Sequence, residues 1–134
     1  MKVRLGALIA VAFVALAACG DGGSPTDVTR EYLGAIADGD GKRACGLMTD
    51  DFKRGLTDNF PTAGTCEQRV AELSAPLGRA GRQLVQDADL SQLGTGSAMS
   101  FVRIESDERT PLHGGLVTLR KVDGEWRIEG AVTP

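Results

Sequence analysis

The sequence predicts an α+β domain, with helices first and an antiparallel sheet after them. Three observations carry this. Residues 24–74 hold capped segments whose apolar residues recur three and four apart. "SAMSFVRIE" (97–105) and "GLVTLRKV" (115–122) instead change character in steps of two. Asp123-Gly124 then joins the second run to "EWRIEGAV" (125–132), and Asp-Gly is a favoured type I′ hairpin turn.

In chain order, Ser24-Pro25-Thr26-Asp27 is a helix start: Ser as N-cap, Pro at the first helical position and Asp reaching back from the third. Val28, Tyr32, Ala35 and Ile36 continue on one helical face. Gly39 is a natural terminator, and Asp40 can cap a second short helix, "GKRACGLM". Asp50-Asp51 opens a further helical stretch through Phe52 to Leu56, and "NFPTAG" (59–64) reads as a loop. Thr65 to Gln68 forms a second capping box, followed by Val70 and Leu73, and Pro76 ends that helix.

The texture changes to strand from about residue 83, with "QLVQDADL" (83–90) as the first strand expected, and about four strands in all. In the final hairpin a two-residue turn sets Leu119 opposite Ile128 and Lys121 opposite Trp126. Val117, Leu119, Trp126 and Ile128 then share one face, with Arg120, Arg127 and Glu129 on the other. For residues 98–104 the inward face stays open, because Met99 and Phe101 alternate with Val102 and Ile104.

The 134 residues suffice for one domain and carry a formal net charge of −3. Removing residues 1–18 takes Lys2 and Arg4, leaving 13 basic against 18 acidic residues. Such a chain has no electrostatic footprint for nucleic acid, and anionic headgroups do not attract it. Eleven Arg against four Lys fits a GC-rich bacterial genome.

Lys2 and Arg4 precede an uncharged run, Leu5 to Ala18, closed by small residues. As a helix it rises about 21 Å, short of a hydrocarbon core of roughly 30 Å, so it reads as a secretory signal. Leu16-Ala17-Ala18-Cys19 resembles the lipobox of bacterial lipoproteins. That resemblance implies lipid on the Cys19 thiol and cleavage before it. The competing reading is an ordinary secreted protein with a chance cysteine. Two acyl chains on one residue anchor a protein without a spanning helix. The chain then divides into a signal peptide (1–18), a lipidated Cys19 with a flexible tether (19–24) and a single domain (25–134). Its place is the extracytoplasmic face of the cell membrane, held through the lipid on Cys19.

With Cys19 consumed, Cys45 and Cys66 become an even pair in an oxidising compartment. The bridge closes a loop of about 22 residues, worth roughly 3.4 kcal/mol of chain entropy. The alternative is two buried thiols. Neither cysteine belongs to a C-x-x-C pattern, and His113 is the sole histidine, so no metal site is expected.

"EYLGAIADGD…MTDDF" together with "LVTLRKVDGEWRIEGA" resembles the nuclear transport factor 2-like superfamily, over about residues 25–132. The chain as a whole is similar to secreted actinobacterial lipoproteins with such a domain. The resemblance implies a curved sheet around helices, forming a cone with an apolar cavity near Tyr32, Ile36, Phe52, Leu119, Trp126 and Ile128. In the ketosteroid isomerases of this superfamily a first-helix Tyr donates to an enolate oxygen, and Tyr32 falls at that position. Their general base is an Asp five residues beyond an Asp-Asp pair, where this chain has Leu56. Asp58 or Asp51 could substitute only with a different local backbone. Base and oxyanion donor are needed together, and only the donor position is filled.

Other polar groups have plain readings beside their chemical ones. Asp50 and Asp51 suit a helix start. Asp87 and Asp89, taken as one side of a strand, could hold a cation or simply face water. "DGDG" (38–41) fails as a calcium loop, because its sixth position is Arg43 and its twelfth Thr49. His113 lies in a loop without a catalytic partner motif, "GTGS" (94–97) is a turn, and "SDERT" (106–110) is an exposed hairpin loop. The expectation is a non-catalytic binding or interaction module without a cofactor. It takes an apolar small molecule in the cavity, or a cell-envelope protein on the exposed sheet face. The alternatives are an isomerase- or hydratase-like enzyme using Tyr32 with an Asp, and a structural accessory lipoprotein.

Overall fold

A computed structural model describes residues 23–59, 64–106, 108 and 112–132. The signal-like segment, Cys19, most of the "NFPTAG" loop and part of "SDERT" lie outside them. The described chain runs through helices α1 (Pro25–Asp38), α2 (Gly41–Gly46), α3 (Asp50–Asp58), α4 (Cys66–Ser74) and α5 (Gly78–Gln86), with a 3-10 turn at Ala75–Leu77. Strands β1 (Asp89–Thr95), β2 (Met99–Glu105), β3 (Leu116–Val122) and β4 (Glu125–Val132) follow. They form one open antiparallel sheet in sequential order.

Local chemistry sets the helix limits. The Ser24 side chain accepts from the Asp27 N–H while Asp27 accepts from Ser24, and Pro25 takes the first position, where a missing N–H is harmless. Gly39 closes α1 in the left-handed region at φ 68°. Asp40 then accepts from the Arg43 N–H and starts α2, so "DGDG" is one helix ending and another beginning. Thr49 caps α3, and Thr65 with Gln68 completes the second capping box on α4.

The "QLVQDADL" expectation needs correction. Residues 83–86 are the last turn of α5, and strand begins only at Asp89. Leu84-Val85 is β-prone in isolation, but Val85 is buried in the core shared with α1. Arg30 of α1 also donates to the Gln86 and Ala88 carbonyls, satisfying groups that the helix end exposes. Tertiary packing outweighs propensity here. Asp87 is consequently the C-cap of α5 and Asp89 the first strand residue, so the two do not share a strand.

The core lies between the sheet and the helices, with α1 against the sheet and α2, α4 and α5 packed on α1. Its sheet side is Ser100, Val102 and Ile104 of β2, Val117 and Leu119 of β3, and Trp126 and Ile128 of β4. This resolves the parity of β2: Met99 and Phe101 point outward. The final hairpin has Leu119 opposite Ile128 and Lys121 opposite Trp126, around Asp123 and Gly124, both at positive φ. Glu129 is an extra residue in β4, and past it Ala131 pairs with Val117 and Gly130 with Thr118. Cys45 and Cys66 form a disulfide between α2 and α4.

Candidate functional site: an apolar cavity at the end of the sheet

A cavity of about 350 Å³ opens where α1, α3 and α4 meet the far ends of β3 and β4. That volume is at the lower end of the roughly 300–1,000 Å³ of small-molecule sites. From α1 come Tyr32, Leu33 and Ile36, whose 3–4 spacing puts them on one helical face. Phe52 and Leu56 of α3 are likewise one turn apart, and Leu73 and Leu77 close the helical side. Ile104, Leu112, Leu116, Val117, Ala131 and Val132 form the sheet side. The bulge at Glu129 matters here, because it brings the small Ala131 rather than another residue beside Val117. Leu73 and Val132 are 49% and 67% exposed, so the rim is itself apolar.

Tyr32 carries the only polar side-chain atom among the described lining residues. It is buried, and no described residue hydrogen-bonds its hydroxyl. Desolvation pushes its phenol up to about 12, so the group is a neutral donor across the physiological range. Without a protein partner, this O–H is open to donate to a ligand that brings an acceptor.

Of the six residues expected around a cavity, Tyr32, Ile36 and Phe52 line this one, and Leu119, Trp126 and Ile128 do not. Those three sit toward the hairpin turn, where the chain at Leu47–Thr49 lies along β4. Thr49 donates to the Ile128 carbonyl and Ile128 to that of Leu47, closing the space there. Trp126 is buried with the Lys121 ammonium 5.3 Å from its ring centroid. Four of the missed lining residues on helices and loops fall into two kinds. Leu56 and Leu73 belong to helical apolar patterns visible in the sequence. Leu77 and Leu112 come from irregular segments that carry no periodicity.

The acidic candidates stay outside. Asp50 and Asp51 pair with Lys53 and Arg54, one turn on, at 2.8 and 3.2 Å. The Lys53 hydrogen bond holds the Asp50 carboxyl below its ordinary value. Asp51 and Asp58 are exposed, and neither lines the cavity. His113 is an exposed loop residue whose Nδ1 lies 2.7 Å from the Ser106 carbonyl oxygen. Among the described residues no group of three or more His, Cys, Asp or Glu could hold a metal ion, and no helix is long and apolar enough to cross a membrane.

Compared with family models, with curated proteins and with solved structures, the chain finds no match in any of the three.

Proposed function

We propose that the chain is a lipoprotein anchored through Cys19 to the extracytoplasmic face of the membrane. Its domain is a non-catalytic binding module of the nuclear transport factor 2-like kind, taking an apolar small molecule into the cavity beside Tyr32. The observation that carries the binding reading is the lining itself: apolar side chains throughout, and one neutral hydroxyl without a partner. Such a site rewards burial of apolar surface and one acceptor, and it rejects charge.

The unpartnered Tyr32 hydroxyl also suits the isomerase-like alternative, as a donor to a developing oxyanion. That chemistry needs a base within reach of the substrate. Leu56, which stands where the resemblance places the base, lines the cavity, and no described lining residue has a carboxylate. Binding of n-decanol that is unchanged by Asp51→Asn and Asp58→Asn, with no isomerisation of a β,γ-unsaturated ketone, fits the module. Turnover abolished by both Tyr32→Phe and Asp58→Asn overturns it. For the anchor, Cys19→Ser releases the protein from membranes, and continued retention contradicts the lipid assignment.

A further inference from the structure

The apolar lining of the cavity does not stop at its mouth. Leu73 of α4 and Val132 of β4 line it and are still 49% and 67% exposed. A Cβ built on Gly81 would stand 3.2 Å from the Cβ of the lining residue Leu77, so that flank of α5 lies toward the cavity. Leu84, three residues on along the same flank, is 47% exposed. None of the described lining residues is charged. Single exposed apolar side chains are ordinary on a protein surface, but a set gathered around an apolar opening marks a contact face.

Chain length bears on what that face meets. With lipid on Cys19, six residue steps separate the anchor from Pro25, where α1 begins. Six residues span at most about 20 Å, less than the diameter of a domain whose radius of gyration is about 13 Å. Tyr32, the first lining residue, lies only about 10 Å along α1 from Pro25. The mouth is therefore within reach of the surface that holds the anchor. The chain from Cys19 onward has 13 basic against 18 acidic residues, so charge does not draw it to a membrane and apolar contact must. From these relationships we infer that the cavity mouth rests on the bilayer, with Leu73, Leu84 and Val132 among the headgroups. An apolar ligand, which concentrates in the bilayer, then enters the cavity without passing through water. This rests on the anchor and cavity readings above and adds the orientation that joins them.

The test uses the full lipidated chain in phosphatidylcholine vesicles, with one added cysteine carrying an NBD fluorophore. One variant is Val132→Cys, at the mouth, and the other Met99→Cys, on the outward face of the sheet. Spin-labelled lipid quenches the probe at 132 at least about twofold more than the probe at 99, because apolar groups at an interface sit roughly 5–10 Å deep. Adding Leu73→Glu to the first variant removes the difference, whereas raising the salt to about 0.5 M does not. Equal quenching at the two positions, or a difference lost in salt, overturns the orientation and leaves anchor and cavity standing. A blue-shifted probe at 132 that lipid does not quench means that a second copy covers the mouth, and overturns it likewise. A chain that fails to stay on the vesicles overturns the orientation together with the anchor, while n-decanol binding reports on the cavity separately.

Discussion

The Cα atoms of Cys45 and Cys66 stand 6.2 Å apart, and the disulfide between them makes α2 and α4 one covalent unit. Cys66 Sγ also lies 3.6 Å from Met48 Sδ, in the core beneath. The two cysteines are 21 residues apart. Closing such a loop removes chain entropy worth about 3 kcal/mol from the unfolded state. The double variant Cys45→Ser/Cys66→Ser therefore loses about that much in chemical denaturation. A loss under about 1 kcal/mol is incompatible with this role.

The same helix pair sets the cost of a single methyl group. A Cβ on Gly41 would lie 2.7 Å from Glu67 Cα and 2.8 Å from its carbonyl oxygen, and backbone cannot swing aside. Gly41→Ala destabilises by about 2 kcal/mol through overpacking. Gly46, at the other end of α2, has open space around it. Gly46→Ala is neutral or slightly stabilising, since alanine loses less entropy in a helix. Paired thermal melts that fail to separate the two variants refute the close packing of α2 on α4.

Tyr32 is the sole tyrosine, so absorbance near 295 nm reports its ionisation alone. In the folded protein the transition falls near pH 12, against about 10 for a solvated phenol. A folded-state value raised above the unfolded one gives stability that is intact below pH 10 and is lost as pH climbs toward 12. Tyr32→Phe removes that alkaline dependence. Titration at pH 10 with the fold intact, followed by circular dichroism, contradicts a desolvated hydroxyl.

On β2, neighbouring residues have opposite sensitivities. Val102 is fully buried and Phe101 is 40% exposed on the other face. Val102→Ser costs about 2–3 kcal/mol, from lost burial, a cavity and an unpaired hydroxyl. Phe101→Ser costs under about 1 kcal/mol. Equal losses in urea melts reverse the assignment of faces.

These sensitivities also show where the sequence was legible. The helix starts at Ser24, Asp40 and Thr65 and the turn at Asp123-Gly124 could be read directly, because each rests on contacts within four residues. The register of Leu119 on Ile128 followed from the turn length. The inward face of β2 could not be read, since both parities offer apolar side chains and only the position of α1 decides. The last turn of α5 was hidden for a similar reason: its stop is fixed by Arg30, more than fifty residues earlier. The cavity was half legible. Tyr32 and Ile36 share a helix face, whereas its floor depends on a bulge at Glu129 that the alternation of the hairpin does not announce.

The central claim is that the space beside Tyr32 holds an apolar ligand, and filling it is the most direct test. Calorimetry of the Cys19→Ser chain with n-decanol gives a Kd on the order of 100 μM, as expected for a small ligand buried almost whole. Ile36→Trp places an indole in the cavity and weakens binding at least tenfold, with the circular dichroism spectrum and Tm retained. No binding in the unsubstituted chain, or undiminished binding in a folded Ile36→Trp variant, contradicts the account.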